Sequence, residues 1–139
     1  SVVTTSDDRL LGTVPKEAIE KRGSTVRGVT RAAPTVVASC QEVCETLAPA
    51  GPINVHQIVT DGTAYTIEIN PRFSSTACLT VAAGVDELDL LIRDAAGETV
   101  ESTGDYESGT HLIRYLDHVI VDEARLEHTA DGSPMEPTQ

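Results

Sequence analysis

Two alternating runs, residues 53–60 and 63–70, meet at the dipeptide Asp61-Gly62, and this feature constrains the fold more than any other in the chain. Asp-Gly between alternating apolar and polar runs signals a tight β-hairpin, because both central residues of the favoured turn need positive φ. In the second run Tyr65, Ile67 and Ile69 are apolar while Thr66, Glu68 and Asn70 are polar, so Glu68 and Asn70 fall on one face. In the first run Ile53, Val55 and Val59 mark the buried side and Asn54, His56 and Thr60 the other, with Gln57 the exception. A two-residue loop would pair Thr60 with Thr63 and put Glu68 on the apolar face of its partner. A three-residue loop pairs Thr60 with Ala64 and His56 with Glu68. The alternation favours the second register, which gathers His56, Glu68 and Asn70 into one cluster.

Residues 1–5 and 10–14 read as short strands about the turn Ser6-Asp7-Asp8-Arg9, and residues 26–30 as another extended piece in which Gly28 marks a bulge or a close backbone approach. Pro34 opens a helix in which Val36, Cys40, Val43 and Leu47 recur at helical spacing until Pro49. Residues 76–83 and 85–96 read as two helices separated by Gly84, the second acidic at its start through Asp86, Glu87 and Asp89. Residues 112–116 and 118–121 read as a last strand or strand pair. The expected fold class is α+β, one antiparallel sheet packed with helices, over residues 1–128, followed by a mobile Gly, Ser and Pro tail at 129–139.

Twenty-two acidic residues against ten basic ones give a net charge of -12, which excludes a nucleic-acid surface. Such a surface suits a protein that stays soluble in concentrated salt, and equally an ordinary acidic cytosolic one. Cys40, Cys44 and Cys78 show no metal-like spacing and are expected as buried thiols in a reducing compartment. No apolar run reaches membrane-spanning length, so the expectation is a cytoplasmic protein with no membrane partner. His111, His118 and His128 read as structural or surface histidines, and Lys16, Arg22 and Arg27 as cations that reach phosphate or form ion pairs.

Hard divalent cations take oxygen ligands, commonly one or two carboxylates plus substrate phosphates, so Glu68 with Asn70 is half of such a site. The longer string Gly51-Pro52-Ile53-Asn54-Val55-His56, then Glu68-Ile69-Asn70-Pro71-Arg72-Phe73-Ser74 and Ala82-Ala83-Gly84, resembles the ATP-grasp superfamily, most closely its carbamoyl-phosphate-synthase-like members. The segment Leu11-Gly12-Thr13-Val14-Pro15-Lys16 resembles an early strand of the same C-terminal subdomain more faintly. The resemblance implies that Glu68 and Asn70 hold Mg²⁺ between the phosphates of ATP, with His56 at a third ligand position that the family fills with Gln or Glu. There an imidazole would favour Mn²⁺ over Mg²⁺. It implies that Arg72 faces the transferred phosphoryl group. Ser74, Ser75 and Thr76 form a polar loop into a helix whose N–H groups face an anion or are simply capped, and Lys16 and Ser74 are the further expected contacts to ATP. The implied reaction is ATP-dependent activation of a small carboxylate or bicarbonate as an acyl-phosphate, then attack by an amine. The family's N-terminal half, with its lysines, adenine pocket and flexible phosphate loop, has no counterpart in the string, so the chain alone is expected to be inactive. A second reading, of a different class, is a non-catalytic scaffold or nucleotide-sensing module.

Overall fold

The computed structural model describes residues 1–118 and 120, so the expected tail at 129–139, His128 and the end of the last expected strand lie outside the described residues. Strands β1 (Val2–Thr4) and β2 (Leu10–Thr13) form the opening hairpin. β3 (Lys16–Arg22) and β4 (Ser24–Thr30) form a second one, and helix α1 (Pro34–Leu47) follows. After α1 come the long hairpin strands β5 (Gly51–Thr60) and β6 (Thr63–Asn70). Helices α2 (Ala77–Ala82) and α3 (Glu87–Ala95) and strand β7 (His111–Ile113) complete the order.

The α+β class holds, but the strands divide into two antiparallel sheets rather than one. The first has the order β2-β1-β5-β6 and the second β3-β4-β7. Pro15, between β2 and β3, lacks the N–H a continuous strand would need, and there the chain leaves the first sheet for the second. The last strand is shorter than expected and joins β4, pairing Val29 with His111 and Arg27 with Ile113. Gly28 does mark a close approach: a Cβ there would stand 3.2 Å from the Thr25 methyl and 3.4 Å from the Glu17 carbonyl.

Strand alternation sends Val2 and Val3 to opposite faces of the first sheet, and each seeds its own core. Val2 and Ile53 pack with Cys40 and Cys44 of α1, while Val3, Leu11 and Val14 pack with Val85, Leu90 and Val100. Burying a side chain such as Leu11 contributes roughly 1.5–3 kcal/mol. The buried Thr4 hydroxyl donates to the Pro49 and Gly51 carbonyls, fixing the start of β5 against β1. Cys40 and Cys44 are buried as expected, but Cys78 is exposed, a correction that follows from its place on the outer side of the short α2.

With a net charge of -12, screening of acidic self-repulsion outweighs the weakening of exposed pairs such as Arg31–Glu17 and Arg93–Glu98. The melting temperature is therefore expected to rise between low and molar KCl. A flat or falling curve would contradict this.

Candidate functional site in the β5–β6 hairpin

The hairpin closes with a two-residue turn, in which Asp61 has φ 51° and Gly62 has φ 75°, and Thr60 pairs with Thr63. Two positive φ values define the turn whose twist matches the flanking strands, which corrects the expected three-residue loop. The expected partners meet nevertheless. Ile58 pairs with Tyr65 and Gln57 with Thr66, and the register then shifts, leaving Ile67 as the extra residue of a bulge. Beyond it His56 faces Glu68, and Asn54 faces Asn70.

Gln57, the residue that broke the polar alternation, holds this bulge. Its Nε2 donates to Ser39 Oγ on α1 at 2.8 Å and to Thr66 Oγ1 on β6 at 3.1 Å. Gln57 is half-buried, its bond to Ser39 partly buried and its bond to Thr66 open to solvent, so its amide nitrogen is satisfied on both sides.

On the opposite face the His56 ring lies between two partners. Its Nδ1 is 2.8 Å from Glu68 Oε2, and its Nε2 is 2.8 Å from Asn54 Nδ2. Asn54 is 7% exposed, whereas the His56 and Glu68 side chains are 38% and 55% exposed. Asn70 Nδ2 is buried without a hydrogen-bond partner among the described residues.

Arg72 follows in the loop, its backbone N–H bonded to the Asn70 carbonyl at 2.9 Å. Its guanidinium is exposed and donates to the Phe73 carbonyl at 3.0 Å, and it makes no ion pair among the described residues. Ser74 Oγ lies 2.8 Å from Thr76 Oγ1 and accepts from the Thr76 N–H at 3.2 Å, so its contacts are those of the turn that enters α2.

Lys16 stands apart from the hairpin cluster. Its ammonium donates to Ser1 Oγ and Thr80 Oγ1, both at 2.7 Å, and to the Thr76 carbonyl at 3.2 Å, so all three protons are engaged. Burial lowers its pKa to about 8, while the nearby Glu87 carboxylate opposes that shift. Glu87 is 1% exposed, and burial pushes its carboxyl up while Lys16 pulls it back. Of the acidic residues expected at this helix start, Asp86 caps it, accepting from the Leu88 and Asp89 N–H groups, both at 3.1 Å, and Glu87 and Asp89 lie in its first turn, but Glu87 is also buried. Periodicity signals that burial, since Glu87 shares a helix face with Leu90 and Leu91.

A cleft of about 800 Å³ opens beside the hairpin, with Lys16 and Lys21 of β3, Asn54 and His56 of β5, and Ser74 and Thr76 in its wall. Glu68, Asn70 and Arg72 are not part of that wall. The structure thus brings His56, Glu68 and Asn70 together, continues to Arg72 along the chain, and places Lys16 and Ser74 on the cleft side.

The donor set suits a hard cation. Glu68 offers a carboxylate and Asn70 an amide oxygen; the Asn70 atom buried without a partner among the described residues is its amide nitrogen, which donates and does not bind a cation. No cluster of three His, Cys, Asp or Glu side chains occurs among the described residues. Remaining ligands would therefore come from phosphate or water, as is usual for Mg²⁺. No helix among the described residues is long and apolar enough to cross a membrane.

A family profile described as an ATP-grasp domain matches residues 1–76, a stretch that contains His56, Glu68, Asn70, Arg72 and Ser74 as well as Lys16. Among curated proteins, the chain is 33% identical over 76 residues to the carbamoyl phosphate synthase large chains of Thermoanaerobacter sp. and Thermoanaerobacter pseudethanolicus. Those matches cover 54% of this chain and 7% of each relative.

Proposed function

The chain belongs to the ATP-grasp family, and from that premise we propose that it supplies the metal- and phosphate-binding face of an ATP-dependent ligase acting through an acyl-phosphate. The observation that supports this reading is the meeting of Glu68 and Asn70 on one hairpin face, with the exposed guanidinium of Arg72 next along the chain.

In this reading Glu68 and Asn70 direct their oxygens at a Mg²⁺ or Mn²⁺ ion shared with ATP. The bound ion would neutralise charge on the phosphates. Arg72 presents a planar fork of donors that matches phosphate or carboxylate oxygens and favours the charge that develops at the transferred phosphoryl group. Ser74 offers a hydroxyl on the cleft side, and the cleft falls in the size range of small-molecule sites. Lys16 could reach a phosphate only by giving up its bonds to Ser1, Thr80 and the Thr76 carbonyl.

Ile58, Tyr65 and Ile67 leave more than half of their surface open around this face. Such a patch suits burial against another subdomain, which in this reading carries the adenine pocket. The chain alone should accordingly bind Mn²⁺ with ATP but show no steady ADP release. Release abolished by Glu68→Ala would overturn the inactivity. Absence of any metal-dependent nucleotide binding would instead favour a scaffold.

A further inference from the structure

Both ring nitrogens of His56 already have partners, and those partners decide what the ring can do. A carboxylate accepts only, so the nitrogen 2.8 Å from Glu68 Oε2 must carry the proton, which makes Nδ1 the donor. An amide nitrogen donates only, so Asn54 Nδ2 at 2.8 Å requires a lone pair on Nε2. The two contacts independently select the same neutral tautomer.

We propose that His56 is a positioning residue rather than a metal ligand: Asn54 fixes the tautomer and plane of its ring, and the ring in turn holds Glu68 by Oε2. Glu68 Oε1 makes no hydrogen bond among the described residues and is left for the cation. Asn54 can serve as the fixed end because it is nearly buried, on a strand pinned by β1 on one side and β6 on the other. Glu68, more than half exposed, would otherwise sample several rotamers, and the ring removes that freedom. That the held carboxylate takes a cation rests on the proposed function; the tautomer and the orienting chain do not.

The test uses the full chain, with ¹⁵N-labelled histidine and Mn²⁺ as the probe. Long-range ¹H–¹⁵N correlations should show a protonated Nδ1 and a bare Nε2 for the neutral His56 ring. The His56→Gln spectrum assigns that signal among the four histidines. Asn54→Leu should weaken the preference for that tautomer without reversing it, since Glu68 alone then selects it. With Mn²⁺ bound, pulsed EPR should show no directly coordinated histidine ¹⁵N, and His56→Phe should weaken Mn²⁺ roughly tenfold, as loss of an orienting partner does. A protonated Nε2 in the parent chain, or a nitrogen bonded directly to Mn²⁺, overturns the proposal. If Mn²⁺ does not bind, the metal reading of the hairpin fails, and the ring-nitrogen spectrum of the parent chain alone decides the orienting chain.

Discussion

Glu68→Ala is expected to lower the affinity of the chain for Mn²⁺ by at least tenfold while leaving its stability within about 1 kcal/mol of the parent. The binding loss follows because Glu68 is the carboxylate that the hairpin register sets among Asn54, His56 and Asn70, whose side chains are uncharged when the imidazole is neutral. A divalent hard ion held by amide oxygen and water alone loses its main electrostatic anchor. The small stability change follows because the pair with His56 is open to solvent on both sides, so water replaces the carboxylate on Nδ1. Glu68→Gln separates charge from shape: it keeps an acceptor for His56 and should lose nearly as much Mn²⁺ affinity. Arg72→Ala should leave Mn²⁺ binding alone and weaken ATP in the presence of Mn²⁺, since its guanidinium contacts the Phe73 carbonyl and no metal-site oxygen. Calorimetric titration of the four proteins measures all of this. Unchanged Mn²⁺ affinity in Glu68→Ala would remove the hairpin as the metal site.

The hairpin, the α1 helix and the two short helices were legible because each is local: a turn dipeptide, a run of helical spacing, a capping Asp86. The register was legible only in its result. Alternation correctly demanded that His56 face Glu68, but alternation cannot say whether an extra residue sits in the loop or in the strand, and here it is Ile67 in the strand. Gln57 carried that information, since a polar residue out of phase must find partners in the protein, and it finds Ser39 and Thr66. Strand β3 escaped notice because Lys16, Glu17, Glu20, Lys21 and Arg22 give it the composition of a solvated helix. It is the edge of its sheet, where charge discourages pairing with other chains. The division into two sheets depends on β4 choosing β7 over the long hairpin, a pairing between distant segments that no local pattern records.

Lys16 and Glu87 show the same limit in the interior, and they set the largest stability effect expected for the chain. Lys16→Met should destabilise by about 3 kcal/mol near pH 7.5, because it removes the cation that offsets the Glu87 carboxylate and the donor that satisfies Thr80 and the Thr76 carbonyl. The loss should shrink as the pH falls, since a carboxyl whose folded pKa is raised favours the folded state once it is protonated. Lys16→Met with Glu87→Leu should recover most of it, as an apolar pair replaces a buried charged one. The parent chain carries its own signature. The Lys16 amine titrates near 8 when folded and near 10.5 when unfolded, so between those values the unfolded chain holds more protons and stability rises with pH. The rise from pH 8 to 9 should be about 1 kcal/mol. Above 9 it is opposed by Cys40, whose thiol burial pushes from 9.0 to about 11, so that the folded chain there holds the extra proton. Urea denaturation at pH 8 and 9 reads the difference, most of which Lys16→Met should remove, the buried Ser1 amine, lowered from 8.0 to about 5, adding a smaller rise of its own. If the single variant is as stable as the parent, or the double variant less stable than the single, the two buried charges do not compensate each other.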